Sequence, residues 1–377
     1  MPNNSIFYEL VGVALGQREL LSRAPSNEEW HDLIEISKKQ AVAGVVFLAL
    51  DKLSNGGIIP PLDVLYEWIG LSEQIKQRNK SLYKRCKEVS QLFTDAGYRT
   101  CILKGQGNAR IYTDPFSRTA GDIDIWLYGK IEKPDISINI LRDEIVSFVR
   151  ERKPDAFEQS YHIEFPIFND AMVEVHYEPI ILASPNINRR FRKWYKEAYD
   201  EIMYSNDVSF FVPSVHFNVV YQIVHMYSHF FTEGIGLRHF IDYFYVLKNN
   251  VTPHTELKVT LKYLKMERFA RGVMWIEKYC FGLDDNYLPF EPSEKLGRLI
   301  LKEMEEGGNF GQYDQRYFVR NKGLLMRGMA DVWRLIKLLP YFPSDCLWKI
   351  TEKIYNQKWK IKDYVIKRYC SFRERRY

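Results

Sequence analysis

Apolar residues recur at three- and four-residue spacing through the first hundred residues, and this period is typical of amphipathic helices. One such stripe covers residues 30–46, and a second, longer helix is predicted over 62–96. Gly97 follows the longer stripe and is expected to end that helix, because glycine adopts the left-handed backbone that closes many helices. The pattern therefore predicts a helical N-terminal region over residues 1–96.

The pattern changes after Gly97, where short runs of β-forming residues alternate with polar ones. Residues 162–168 and 172–177 are expected to pair as strands across a turn at Asn169-Asp170. Mixed with helical stretches, short strands of this kind favour an α/β or α+β core over residues 97–213. The four predicted strands cover residues 98–103, 123–127, 162–168 and 172–177.

The helical period returns from Pro213 onward and predicts a C-terminal helical region over 214–377. A glycine-rich break at 307–311 interrupts it. The expected helices cover residues 215–231, 237–248, 257–281 and 324–339.

Composition narrows the class of protein without naming its function. The 377 residues are 46% hydrophobic and 27% charged, as in an ordinary globular protein. The five cysteines are scattered and lack any Cys-x-x-Cys spacing, which favours a reducing compartment and argues against a cysteine-based zinc site. The N-terminus lacks a basic segment, and the longest apolar run covers only residues 41–50. We therefore expect a cytoplasmic protein without a signal peptide or transmembrane segment.

Positive charge is concentrated at the end of the chain. The net charge is +5 overall, yet residues 96–180 sum to −4 and the last 66 residues to +10. After Gln357, basic residues are interleaved with aromatic ones. Such a tail could bind an anionic partner, either RNA or an anionic membrane surface, or form the solvated face of an amphipathic helix. The sequence leaves these alternatives open.

The segment over residues 103–127 carries the candidate chemistry. Asp122 and Asp124 are two apart on a β-like run, so both carboxylates face the same side. Paired carboxylates suit Mg²⁺ carrying nucleotide phosphates, although a solvated edge strand or turn caps would also explain them. Gly121 allows close backbone approach. Upstream, Lys104-Gly105 lies between a strand and a helical stretch, a position suited to phosphate.

These residues carry a resemblance to a known family. The chain reads Leu103-Lys104-Gly105, Asp114-Pro115, Arg118 and Asp122-Ile123-Asp124. This pattern resembles the uncharacterised bacterial nucleotidyltransferases with an LKG…DP…R…DID signature. That family lies within the superfamily of DNA polymerase beta-like nucleotidyltransferases. The resemblance implies an α+β fold, in which a small mixed β-sheet nucleotidyltransferase core is flanked by N- and C-terminal helical regions.

The resemblance also implies a reaction and its residues. Asp122 and Asp124 would bind Mg²⁺ (or Mn²⁺), and Glu174 on the strand Val173-Glu174-Val175-His176 would complete the catalytic carboxylates. An NTP would give its nucleoside monophosphate to an acceptor hydroxyl and release pyrophosphate. Without the resemblance, a solvent-facing strand residue is the favoured interpretation of Glu174. The nucleotide phosphates would contact Lys104, Gly105 and Arg118.

Three further residues are candidates for supporting roles. His176 is expected either to orient Glu174 or a phosphate, or to be a half-buried structural histidine. Arg238 and Asp242, four apart on a helix, are expected to form an intrahelical ion pair, unless Arg238 reaches the nucleotide. His225 and His229 share one helix face, but Met226 replaces the glutamate of an HExxH zinc site. We expect these two histidines to be structural or to line the substrate site.

One departure from the superfamily pattern bears on function. Many superfamily members have Gly-Ser where this chain has Gly105-Gln106, so a serine contact to phosphate is missing. The hypothesis is therefore a Mg²⁺-dependent nucleotidyltransferase whose acceptor is a small molecule, an RNA end or a protein. The alternative is a non-catalytic nucleotide-binding or scaffold protein on a degenerate nucleotidyltransferase fold.

Overall fold

The computed structural model describes residues 5–314 and 324–355 and has an α+β fold. The expected basic tail after Gln357 lies outside these residues. The N-terminal helices are α1 (Ser5–Ala14), α2 (Asn27–Lys39), α3 (Ala43–Asn55) and α4 (Leu62–Asp95). The central elements are β1 (Tyr98–Ile102), α5 (Gln106–Ala109), β2 (Ile123–Lys130), α6 (Ile138–Arg152), β3 (His162–Glu164), β4 (Val173–His176), α7 (Pro185–Glu197), β5 (Ile202–Ser205) and β6 (Phe210–Pro213). The C-terminal helices are α8 (Val215–Thr232), α9 (Leu237–Lys248), α10 (His254–Tyr263), α11 (Glu267–Tyr279), α12 (Glu294–Gly307) and α13 (Leu324–Leu338), and residues 343–355 are also helical.

The central sheet has four strands in the order β1-β2-β4-β3. Strands β2 and β4 run parallel, whereas β1 and β3 pair antiparallel with their neighbours. A separate hairpin is formed by β5 and β6. The expected small mixed sheet flanked by helices is therefore confirmed. The parallel register matters for the site, because it places Asp124 of β2 directly beside Glu174 of β4.

The alternation of β2 decides which way its carboxylate points. Ile123, Ile125 and Leu127 pack into a hydrophobic cluster with α4 and α6. Trp126 packs on the opposite side, into the larger cluster built from the N-terminal and C-terminal helices. Because strand side chains alternate, Asp124 shares the Trp126 face. On that face the Trp126 ring packs against Tyr195 of α7 and Phe217 of α8.

Local signals explain several element boundaries. Ser26 caps α2 through a reciprocal capping box with Glu29. Helix α4 ends at Asp95, and Gly97 has a positive φ of 81°. A side chain at this φ would be strained, so glycine ends the helix here as the sequence predicts.

Three elements differ from the sequence prediction. The stripe over residues 30–46 belongs to two helices, α2 and α3, which are separated at Ala41, where φ is +57°. The single helix expected over 257–281 is two helices, α10 and α11, because the chain turns at Lys265, whose φ is +61°. The turn lets Leu264 and Met266 both reach the core, where neither is exposed. The strand expected over 162–168 ends at Glu164, before Pro166, which has no amide hydrogen to extend the ladder.

Two predictions near the C-terminus, the glycine-rich break over 307–311 and the helix over 324–339, are confirmed in outline. The break over 307–311 contains a short 3₁₀ turn, Asn309–Gly311, and α13 begins at Leu324 and ends at Leu338. Within the described ranges, no helix is both long and apolar enough to cross a membrane.

Candidate active site

Three carboxylates form one wall of a polar cavity beside the central sheet. Asp124 lies on β2 directly beside Glu174 on β4, and Asp122 immediately precedes β2. The Asp124 side chain is only 7% exposed, whereas that of Glu174 is 23% exposed and faces the cavity. The strand register thus brings together the three acidic residues that the sequence singled out.

Two basic side chains hold Asp124 in its ionised form. The Lys104 ammonium lies 3.1 Å from Asp124 Oδ1, and His176 Nε2 lies 3.1 Å from the same oxygen. Burial alone would raise the pKa of Asp124, but Lys104 and His176 together hold it well below its ordinary value. The same contacts, with Glu174, raise the pKa of His176 against the effect of its own burial.

Asp122 lies in the opposite electrostatic situation. Enclosure of its carboxyl by the cavity walls raises its pKa, and the negative charges of Asp124 and Glu174 raise it further. Lys104 only partly offsets this effect. The carboxylate wall therefore carries an excess of negative charge, and an added cation would relieve it.

The turn after β1 brings Lys104 and Gly105 to the cavity. Gly105 has a φ of +60° and precedes α5, a helix of only four residues. Gln106 points the other way: it is 1% exposed and donates from Nε2 to Asn79 Oδ1 of α4 at 2.8 Å. The glutamine therefore braces the turn and makes no contact that could replace the serine of related transferases.

Arg118 forms a buried ion pair that the sequence did not predict. Its Nε and Nη2 donate to the two carboxylate oxygens of Asp242 at 2.7 and 2.8 Å, and Tyr112 donates its hydroxyl hydrogen to Asp242 at 2.6 Å. The expected intrahelical pair between Arg238 and Asp242 is thus wrong, because Arg118 reaches Asp242 from the preceding loop with bidentate geometry.

Arg238 faces the cavity without an acidic partner. Its Nη1 donates to the Thr119 carbonyl at 3.0 Å, and its guanidinium lies 5.4 Å from the centre of the Phe310 ring. Its Nε has no hydrogen-bond partner, and no ion pair to it exists among the described residues. Burial lowers its pKa to about 10, so it remains charged at neutral pH. An unpaired, buried guanidinium of this kind is suited to an anion.

A group of histidines closes the cavity on the side of α8 and α9. His225 Nε2 accepts from the Lys104 ammonium at 3.0 Å and lies 3.0 Å from His229 Nε2. His239 packs beside both rings. Burial, followed by the charge of Lys104, lowers the pKa of His225 well below its ordinary value. His225 and His229 both line the cavity, as expected of substrate-lining residues.

The cavity has a volume of about 470 Å³, which is in the range of small-molecule sites. Of the residues singled out from sequence, those lining it are Lys104, Gly105, Arg118, Gly121, Asp122, Asp124, Glu174, His225, His229, Arg238 and Asp242. His176 lies behind this lining and contacts Asp124 and Glu174.

Sequence reasoning missed part of the lining. Phe310 and Gln312 reach the cavity from the glycine-rich break, and Tyr161 and Gln159 reach it from the start of β3. The break itself was visible in the sequence as Gly307-Gly308-Asn309-Phe310-Gly311, but its position opposite the carboxylates depends on the packing of α12 against α11. No local pattern encodes that contact.

A family comparison agrees with this geometry. The model of a family described as uncharacterised nucleotidyltransferase matches residues 26–282, about two thirds of the chain and the whole of the cavity except Phe310 and Gln312. The chain therefore belongs to this nucleotidyltransferase family. No curated protein and no solved structure matches the chain.

Proposed function

We propose that this chain transfers a nucleoside monophosphate from an NTP to an acceptor hydroxyl and releases pyrophosphate. The observation that carries the proposal is the register of β2 and β4, which sets Asp124 beside Glu174 on a cavity wall with Asp122 at the strand start. Membership in a nucleotidyltransferase family gives this arrangement its reaction class. A bound NTP explains why acidic and basic groups share one cavity.

The residues present fit a divalent cation. Oxygen ligands suit Mg²⁺ and Mn²⁺, and the carboxylates of Asp122, Asp124 and Glu174 all line the same cavity. In the proposal, Asp122, Asp124 and Glu174 hold Mg²⁺ or Mn²⁺. When bound, the cation would neutralise charge on the triphosphate and stabilise the attacking and leaving oxygens.

The side chains of this protein have separate tasks in the transfer. Glu174, the more exposed neighbour of Asp124, accepts the proton of the acceptor hydroxyl. The acceptor oxygen bonds to the α-phosphorus while the bond from that phosphorus to the β-phosphate oxygen breaks, and pyrophosphate leaves. Lys104 and Arg238 provide positive charge to the phosphates.

The roles of the two arginines are reassigned within this proposal. Arg118 was the expected phosphate ligand, yet both its Nε and Nη2 are committed to Asp242. Arg238 has the free capacity, since its Nε lacks a partner. We therefore assign the phosphate contact mainly to Arg238, with Arg118 holding the loop and Asp242 in place.

The acceptor is the remaining choice among a small molecule, an RNA end and a protein. The test is incubation with each NTP labelled at its α-phosphate, together with Mg²⁺ and fractionated cell extract. A labelled product is expected with at least one NTP and is expected to disappear in Glu174→Gln. Glu151→Gln, an exposed glutamate on α6, is the matched control and should retain the product. Equal labelling by Glu174→Gln and the parent protein would contradict the proposed role of Glu174.

One observation favours the alternative of a non-catalytic nucleotide-binding or scaffold protein. The Lys104 ammonium already contacts Asp124 Oδ1, so an internal cation satisfies this carboxylate without a metal. On that alternative, NTP binding would be independent of Mg²⁺ and no labelled product would form in any fraction. Mg²⁺-dependent NTP binding followed by product formation excludes it.

Three wider features are also proposals. We divide the chain into an N-terminal helical region (1–96), a nucleotidyltransferase core (97–213) and a C-terminal helical region (214–377). The buried, unpaired state of the four described cysteines supports a reducing, cytoplasmic setting. If the basic tail grips an RNA acceptor, removing the residues after Gln357 should weaken RNA binding and flatten its salt dependence. A filter assay at two salt concentrations measures both, and unchanged binding would remove the RNA hypothesis.

A further inference from the structure

A second group of possible metal ligands lies at the inner end of the carboxylate wall. His162 on β3 and His176 on β4 are register partners, so their side chains project from the same face of the sheet. Glu174, two residues before His176, shares that face. One ligand atom from each of these three residues lies within 4.8 Å of the others.

Within the described part of the chain, the buried imidazole of His162 lacks the hydrogen bonds that would explain its position. It is 3% exposed, and neither ring nitrogen has a hydrogen-bond partner among the described residues. Buried imidazole nitrogens normally have partners, because an unsatisfied polar group in the protein interior is costly. Its Nε2 instead lies 3.8 Å from Glu174 Oε1, and the ring borders the cavity.

His176 presents its Nε2 to the same place. That atom lies 3.4 Å from Glu174 Oε2, and the His162 and His176 rings are 5.0 Å apart, centre to centre. In tetrahedral coordination, two zinc ligands that are each about 2.1 Å from the ion lie about 3.4 Å apart. The ligand atoms of this group lie within 4.8 Å of one another, so the widest pair must close by about 1.4 Å, which side-chain rotations can supply.

We propose that His162, Glu174 and His176 form a binding site for a first-row transition-metal ion of the Zn²⁺ class, beside the oxygen-ligand site proposed for Mg²⁺. Imidazole nitrogen favours such ions, whereas Mg²⁺ prefers oxygen ligands throughout. Two histidines and one glutamate leave a coordination position open, as in catalytic rather than structural zinc sites.

The open position faces the substrate cavity, because Glu174 and His162 both line it. Glu174 belongs to both sites. The metal site itself does not depend on the proposed function; only the role of its ion in the transfer rests on that function. A cation at this place would add positive charge where the acceptor and the triphosphate meet.

X-ray absorption at the zinc edge tests the ligand set directly in the unaltered protein. With one equivalent of ZnCl₂, we expect imidazole scattering from two histidines together with oxygen. A spectrum with oxygen ligands alone, or with imidazole scattering unchanged in His162→Gln, would overturn the inference.

Affinity provides the second measurement. Titration with Co²⁺, followed by its visible absorption, should show binding at least about 10-fold weaker in His162→Gln than in the parent protein. His254→Gln, a histidine on α10 outside the cavity, is the matched control and should bind Co²⁺ like the parent. Equal affinity in His162→Gln and His254→Gln would contradict the site.

The two proposals fail separately. Suppose that the parent protein binds NTP in a Mg²⁺-dependent way but its zinc spectrum lacks imidazole scattering. This result would exclude the histidine site and leave the transferase proposal standing. Imidazole-ligated zinc in a parent protein that binds no NTP would do the reverse.

Discussion

Replacing Arg118 by methionine tests whether this arginine stabilises the fold through its buried ion pair with Asp242. Its guanidinium makes two hydrogen bonds to Asp242, and both side chains are almost inaccessible, at 6% and 4% exposure. Removing one partner of a buried pair typically costs about 3–5 kcal/mol, because the other charge is left uncompensated. Arg118→Met should therefore lose roughly that much free energy of unfolding, with Asp242 retaining only the Tyr112 hydroxyl.

The double variant Arg118→Met/Asp242→Asn separates the lost pair from lost packing. Asparagine keeps an oxygen for Tyr112 but removes the unpaired charge, so the two substitutions should couple by about 1–3 kcal/mol. Urea unfolding followed by tryptophan fluorescence measures the parent protein, Arg118→Met, Asp242→Asn and the double variant. Arg85→Met is the control, since Arg85 pairs with the exposed Asp170 and should change stability far less. Strict additivity of the two buried substitutions, or an Arg118→Met variant as stable as the Arg85→Met control, would refute the reasoning.

Two further predictions concern buried charges elsewhere. Arg238→Met should weaken Mg²⁺-dependent NTP binding at least about 10-fold. The fold should stay intact, because the substitution leaves no buried acidic partner among the described residues without its counter-charge. Filter binding measures the affinity and a melting curve checks the fold, and unchanged NTP affinity would contradict the prediction. Glu277 is fully buried, neither of its carboxylate oxygens has a hydrogen-bond partner among the described residues, and burial raises its pKa well above its ordinary value of 4.5. The folded state thus keeps the Glu277 proton to higher pH than the unfolded state does. The stability that protonated Glu277 contributes is therefore complete below pH 4.5 and is lost as the pH rises through the folded-state pKa. Glu277→Gln should raise the melting temperature at pH 8 and change it least near pH 4.5, and an equal shift at both pH values would argue against burial as the cause.

The sequence predicted what local patterns encode. The 3.6-residue period located α4, α8 and α9 almost to the residue. The same-face geometry of Asp122 and Asp124 pointed to the carboxylate wall, and Glu174 was chosen from its strand and the family resemblance. These inferences needed only periodicity, alternation and a short motif.

What the sequence could not give depends on contacts between distant residues. Arg118 and Asp242 are 124 positions apart, and nothing near either residue signals that they pair. Helix spacing instead suggested Arg238 for Asp242, a pairing that the bidentate geometry of Arg118 prevents. The place of His162 beside Glu174 and His176 likewise follows from the β3–β4 register, which no local pattern encodes.

The central claim is that Asp122, Asp124 and Glu174 form a metal–nucleotide site. Equilibrium binding of each labelled NTP, with and without Mg²⁺, tests it most directly in the parent protein, in Asp122→Asn and in Asp51→Asn, an exposed aspartate on α3 that serves as the control. Asp122 lies before β2 and is exposed, so its substitution should leave the fold intact. We expect Mg²⁺-dependent binding of at least one NTP by the parent and by Asp51→Asn, and its loss in Asp122→Asn. Equal Mg²⁺-dependent binding by all three proteins would contradict the claim.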